Sequence, residues 1–348
     1  MLKRLGSLAG CTLLPVILSV PLSSAVAEEV VNIYSYRQPY LIQPLTDAFT
    51  EKTGIRTRVI FAEKGLEERI RAEGANSPAD VIMTVDISRL SAAKDAGVTQ
   101  PVSNDTIDSR IPAQYRDPQG HWFGLTTRSR VIYASKDRVS EKALTYEDLA
   151  DPKWKGRVCT RSGQHVYSIG LISSMIAHHG LEEAGKWLEG VKNNLARKPA
   201  GNDRAQVKSI FAGECDVALG NTYYMALMLT NEKEPEQKEW ANSVNVIFPN
   251  GADRGSHVNI SGMALAVNAP NRDNAVKLME FLTSDEAQEI YAESNHEYPV
   301  VDGVAISDMV RSFGELKADT LPLADIAEHR KEASELVDRV GFDDGPSS

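Results

Sequence analysis

The sequence predicts an α/β protein of two lobes joined by crossing strands, and three observations predict it. From Val30 onward, short β-rich runs alternate with amphipathic segments, the pattern of strands and helices built around a largely parallel sheet. Two strand-like segments, 128–134 and about 262–267, carry the chain across to a second lobe and back, and two crossings make a hinge with a cleft. The chain of 348 residues is long enough for two domains and shows no internal period.

The N-terminus carries Lys3 and Arg4, then an apolar stretch over 12–22 that ends at Ala25-Val26-Ala27. These are the parts of a secretory signal peptide, so 1–27 are expected to be removed and the mature protein to reside in the periplasm. The apolar run is shorter than the ~20 residues a membrane-spanning helix needs. Leu8-Ala9-Gly10-Cys11 looks like a lipoprotein processing site, but there the apolar segment precedes the cysteine, whereas here it follows. The formal net charge of −10 becomes more negative when Lys3 and Arg4 leave, which argues against a nucleic-acid partner, whose phosphates demand a basic face.

The elements follow in order. Residues 30–34 form a strand, and a helix after the loop 35–39 places Leu41, Leu45, Ala48 and Phe49 on one face before Gly54 closes it. A strand over 57–61, a helix over 66–73 and a buried strand over 80–85 come next, with Asp86 as the cap of a helix over 87–96. Beyond the turn-rich stretch 114–120 the first crossing begins. The second lobe has a strand at 156–160, helices over 167–179, 181–193 and 203–211, a strand over 215–219 and a helix beginning near Tyr223. Strands at 244–248 and about 262–267 return the chain, and helices at about 272–282, 285–293 and 323–337 complete it. The expected lobes are 28–127 plus about 253–300, and 128–252 plus about 301–348. Cys159 and Cys215 remain after the leader is cut; one disulfide and two buried thiols are both open, and no cysteine spacing suits zinc.

Enzyme signatures are missing. G-x-S-x-G, the phosphate-binding G-x-x-x-x-G-K-[ST] and H-E-x-x-H do not occur, and His296-Glu297 has Val300 where a second histidine would fall. His178 and His179 are helix neighbours before Gly180 and point in different directions. The tyrosines carry more. Tyr223 and Tyr224 stand where a strand ends and a helix starts, and Tyr167 has the same kind of position after 157–160. In open α/β sheets ligands bind beyond the carboxyl ends of strands, and helix N-termini there favour an anion. A phenolate is a hard oxygen ligand with an ordinary pKa of about 10, so only a strongly Lewis-acidic cation displaces its proton near neutral pH. Ferric ion can; Zn²⁺ and Ca²⁺ favour other donors. The plainer reading, packing or sugar-stacking tyrosines in a cleft, stands beside this one.

The segments Asn32-Ile33-Tyr34-Ser35-Tyr36-Arg37-Gln38-Pro39-Tyr40, Ser77-Pro78-Ala79-Asp80-Val81, Trp122-Phe123-Gly124-Leu125-Thr126-Thr127-Arg128, Asn221-Thr222-Tyr223-Tyr224 and His257-Val258-Asn259-Ile260-Ser261-Gly262 closely resemble the periplasmic ferric-ion-binding proteins of ABC importers. The likeness runs in order from about Asn32 to Asp344. It implies a two-lobed periplasmic-binding-protein fold with transferrin-like lobes, a Fe3+ cargo and no catalytic activity. It implies three phenolate ligands, which fall on Tyr167, Tyr223 and Tyr224. In the subgroup that shares the Arg-Gln-Pro-Tyr loop it also implies a carbonate-like anion, whose surroundings map to Arg37, Gln38 and Arg128, with Ser162 and Gly163 as further candidates. Other branches place a ligand pair in the first loop; here that spot is Gln38-Pro39-Tyr40, so a direct bond from Tyr40 stays open beside a supporting role. The implied partner is the permease of an ABC importer at the inner membrane, and the implied working form is a monomer. The rival expectations are a binder of another small solute, such as a phosphonate or a sugar, and an extracytoplasmic enzyme on the same two lobes.

Overall fold

Strand β1 (Val30–Ser35) is the first rung of a sheet in which it pairs in parallel with β2 (Arg56–Phe61) on one side and β3 (Val81–Thr84) on the other. Helices α1 (Pro39–Thr53) and α2 (Leu66–Glu73) cover the crossovers. This is a computed structural model describing residues 29–347, so the expected signal peptide and Cys11 lie outside the described residues. Helix α1 buries Ile42, Leu45 and Phe49, each worth roughly 1.5–3 kcal/mol when removed from water. Asp86 caps α3 (Ile87–Asp95) by accepting from the Ser88 N–H at 2.7 Å.

After β4 (Thr99–Gln100) and α4 (Asp105–Arg110), the 13-residue strand β5 (Phe123–Ser135) serves both lobes. The second lobe contains β6 (Val158–Cys159), α5 (Val166–Asn193), α6 (Asp203–Phe211), β7 (Val217–Asn221), α7 (Thr222–Leu229), α8 (Glu236–Asn242) and β8 (Val244–Ile247). The chain returns through β9 (Val258–Ala266) and continues as α9 (Arg272–Leu282), α10 (Asp285–Asn295), β10 (Tyr298–Pro299), α11 (Asp308–Arg311), α12 (Leu323–Glu328) and α13 (Arg330–Val340). No helix among the described residues is long and apolar enough to cross a membrane.

The sheet order is β2-β1-β3-β9-β5-β7-β6. The expected largely parallel sheet is mixed instead: β9 runs antiparallel to both β3 and β5, and β5 antiparallel to β7 and β8. The reason is the hinge, because a strand that leaves a lobe and a strand that returns to it lie side by side in opposite directions. Residues 123–129 of β5 pair with β9, whereas from Arg130 onward β5 pairs with β7 and β8. The hinge therefore falls at Ser129-Arg130, next to His257, whose carbonyl accepts from the Arg130 N–H at 3.0 Å.

The core divides at the same place. One buried cluster gathers residues from Val31 to Leu125 and from Val258 to Ala327. Two others lie in the second lobe, and Ala333, Leu336, Val337 and Phe342 join the larger of them. The chain after Val301 thus serves both cores. The span α5 holds the two expected helices, which meet at a kink where Gly180 (φ 80°, ψ 162°) takes a conformation that β-carbon sterics deny to other residues. Cys159 and Cys215 form a disulfide with their Cα atoms 5.9 Å apart, which resolves the two open readings of that pair.

Candidate functional site

The cleft opens where β7 ends and α7 begins. Gly220 is required there, since any side chain would overlap the Tyr133 ring, and that ring's hydroxyl donates to the Asn221 carbonyl at 2.6 Å. The turn is held from its other side by Asp203, buried at the start of α6. One Asp203 oxygen accepts from Arg130 Nη1 at 2.8 Å and from the Asn221 N–H at 2.9 Å, and the other accepts from Arg161 Nη1 at 3.0 Å. A single carboxylate so ties the crossing strand, the loop ahead of α5 and the start of α7 into one frame. The frame places two tyrosine-bearing helix starts against each other.

Tyr167 is the second residue of α5, and Tyr223 and Tyr224 are the second and third of α7. The Tyr223 hydroxyl donates to the Tyr167 oxygen at 3.2 Å, and the rings of Tyr223 and Tyr224 lie 4.4 Å apart. Burial, then the neighbouring Tyr167 and Tyr224 hydroxyls, push the Tyr223 phenol well above its ordinary pKa. Burial likewise raises Tyr224, with Tyr167 next in effect. Both are neutral phenols near neutral pH. Arg128 and Arg161 sit over the Tyr167 ring at 5.7 and 5.1 Å, and Arg204 over the Tyr224 ring at 5.1 Å.

Other tyrosines near the first loop are committed elsewhere. Tyr36 donates to Glu67 and accepts from the Leu66 N–H at 2.9 Å, while Tyr34 donates to Glu73 at 2.9 Å. Burial and then Glu73 push the Tyr34 phenol up to about 12. A phenol already bonded to a carboxylate loses that bond if it gives up its proton, so neither is suited to hold a cation.

Facing the phenols is a buried polar network. Arg37 donates from Nη1 to Asn295 Oδ1 at 2.6 Å and from Nη2 to Glu297 Oε1 at 2.8 Å and to Ser261 Oγ. Arg128 Nη1 donates to the same Ser261 Oγ at 2.9 Å, and that hydroxyl donates to Glu297 Oε2 at 3.0 Å, which also accepts from Thr126. Burial would raise the Glu297 carboxyl, but Arg37 and then Arg128 reverse this and hold it below its ordinary value. Two donors of the network, Arg37 Nε and Arg128 Nη2, are buried without a partner. Such donors cost about 1–3 kcal/mol each unless an acceptor meets them, so the residues present fit a small oxyanion.

The structure brings Arg37, Gln38, Tyr40, Arg128, Tyr167, Tyr223 and Tyr224 to one cleft of about 310 Å³. Tyr40 stands at its mouth, 66% exposed. Ser162 and Gly163 are not among its lining residues: the Ser162 hydroxyl and the Gly163 N–H both donate to Asp343, each at 2.6 Å. Sequence reasoning missed Arg204, Asn295 and Glu297, which also line the cleft, and Asp203 and Arg161 behind it. Position could have found some of them, since Arg161 precedes Tyr167 in its loop and Asp203-Arg204 opens a helix after Asn202. Glu297 surfaced only as half of a zinc motif that fails.

Residues 76–317 match the family described as bacterial extracellular solute-binding protein. Iron uptake protein A1 of Synechocystis sp. is 44% identical over 317 residues, covering 90% of this chain and 88% of that protein. The structure of Mannheimia haemolytica ferric iron-binding protein A in an open conformation superposes with a TM-score of 0.87 at 50% identity, over 90% of this chain and 99% of the other. A Trichodesmium protein in complex with iron and citrate ligands superposes with a TM-score of 0.87 at 46% identity, over 90% and 99%.

Proposed function

The chain belongs to the family of bacterial extracellular solute-binding proteins, and from that premise we propose that it captures ferric iron in its interlobe cleft and delivers it to an ABC importer. The observation that carries the reading is the meeting of Tyr167, Tyr223 and Tyr224 beside Arg128 in one cleft.

In this reading the three phenols are the iron ligands. Burial makes ionisation of Tyr223 and Tyr224 costly, which a trivalent cation offsets and a weaker Lewis acid does not. Each phenol loses its proton as iron binds, and three phenolates cancel the charge of Fe3+. The buried donors of Arg37 and Arg128, with Gln38 beside them, hold a carbonate-like anion that enters with the iron. Tyr40, on the first lobe and exposed, supports the site from the rim. The lobes close over the ion by bending at Ser129-Arg130 and reopen at the permease, so the chemistry is capture without turnover. We take the working form to be a monomer in the periplasm.

Release follows from the same chemistry. Protons compete with iron for the phenolates, so acid favours release, and reduction to ferrous ion weakens the bond to hard oxygen donors. The test is to add ferric iron and bicarbonate to the apo protein. A visible phenolate-to-iron charge-transfer band is expected; a colourless mixture would turn the assignment toward another small solute.

A further inference from the structure

Strand β5 serves both walls of the cleft from residues two apart. Arg128 belongs to the arginine and glutamate network through Ser261, whereas Arg130 holds Asp203, which in turn holds the Asn221 N–H ahead of Tyr223. The bend at Ser129-Arg130 lies between them. The angle of the strand there sets how far the guanidinium groups stand from the phenols.

That bend contains an irregular rung. The ladder between β5 and β9 runs through Ser129, opposite Val258, so the next pair, Arg130 opposite His257, is one in which antiparallel strands exchange two backbone bonds. One is present: the Arg130 N–H donates to the His257 carbonyl at 3.0 Å. In place of the other stands a side chain. The His257 N–H donates to the Tyr146 hydroxyl at 3.1 Å, and that hydroxyl donates to the Arg130 carbonyl. An oxygen inserted into one bond of the pair and not into the other spreads the two strands on that side. Tyr146 is buried, and its backbone is fixed to the second lobe: its N–H donates to Asn250 Oδ1 at 3.0 Å and its carbonyl accepts from Trp187 Nε1 at 2.8 Å. The hydroxyl therefore travels with the second lobe while it touches both crossing strands.

We propose that Tyr146 is a positioning residue for capture, its hydroxyl being the joint on which β5 and β9 spread and so the group that sets the spacing of phenols and guanidinium groups; this rests on the lobe closure proposed above. A buried N–H and a buried carbonyl need partners in every lobe position. A hydroxyl donates, accepts and rotates, so it keeps both partnered as the strands spread or draw together. Without it, the strands either zip into a direct bond from the His257 N–H to the Arg130 carbonyl or leave both groups unpaired. In either case the spread position is the one disfavoured.

The experiment compares wild type with Tyr146→Phe, which keeps the ring and removes only the hydroxyl, and with Trp187→Phe, which removes one of the bonds that anchor Tyr146. A thermal melt checks that each folds. Small-angle X-ray scattering records the radius of gyration of each protein with and without iron, and a chelator challenge followed by the visible band records the rate of iron release. The radius of apo Tyr146→Phe should depart from that of wild type, and its change on iron loading should shrink. The release rate should differ from wild type by roughly tenfold, equivalent to about 1.4 kcal/mol. Trp187→Phe should move the same readings in the same sense by less, and it decides the matter should Tyr146→Phe fail to fold. A folded Tyr146→Phe with wild-type radii and release rate overturns the proposal even if its melting temperature falls, because a merely structural hydroxyl moves only the melt. A wild type without a visible band would remove the iron reading, and the apo radii, which need no iron, would then decide this proposal alone.

Discussion

The two walls of the cleft are built on opposite principles. On one, Tyr167 and Tyr223 meet through a hydroxyl contact of 3.2 Å, the Tyr223 and Tyr224 rings pack 4.4 Å apart, and burial makes Tyr223 and Tyr224 hold their protons more tightly. On the other, Arg37, Arg128, Ser261 and Glu297 are charged or fully engaged and tied by bonds that exist before any ligand arrives. In the proposed reading the first wall stores its chemistry as ionisation that iron brings about. The second stores it as pre-formed charge, at a desolvation cost that only its internal pairing offsets. Binding and folding should therefore separate between the walls.

Glu297→Ala should cost the most. It leaves Arg37 and Arg128 as buried charges without their carboxylate, and breaking such a network lowers unfolding free energy by about 3–5 kcal/mol, readable in urea denaturation. Tyr167→Phe should act on the other quantity. Loss of one anionic ligand worth roughly 2–3 kcal/mol lowers iron affinity about a hundredfold in chelator competition. Its stability should stay within about 0.5 kcal/mol of wild type, because the hydroxyl has no bond into the core. A Tyr167→Phe variant that unfolds as readily as Glu297→Ala would erase the contrast.

Ser261→Ala probes the joint between the charged groups, since one hydroxyl accepts from both arginines and donates to Glu297. Its loss should cost about 1–2 kcal/mol of stability. Acid separates the walls most gently. Tyr223 and Tyr224, raised in pKa, take protons back as iron leaves, so iron retention should fall as pH falls. Glu297 is lowered, so its contribution is complete above the ordinary carboxylate range and is lost only when pH drops through its depressed value. Iron should leave at a higher pH than the one at which tryptophan fluorescence reports unfolding; coincident transitions would contradict this.

What the sequence made legible follows the same division. Tyr167, Tyr223 and Tyr224 could be placed because each lies just after a strand and opens a helix, a local pattern that periodicity reports. The charged wall could not be assembled that way, since Arg37 reaches Asn295 and Glu297 across more than 250 positions and no local rule pairs them. Ser162 and Gly163, which the resemblance offers as further anion candidates, give their donors to Asp343, remote in sequence. Strand direction escaped for a related reason: β9 reads as a strand in either sense, and only its partners β3 and β5 make it antiparallel.

The most direct test of phenolate capture is the visible spectrum of ferric iron bound to wild type and to the Tyr223→Phe, Tyr224→Phe double variant, each given bicarbonate. The account predicts a charge-transfer band in wild type that the double variant lacks. A band that survives intact in the double variant would contradict it.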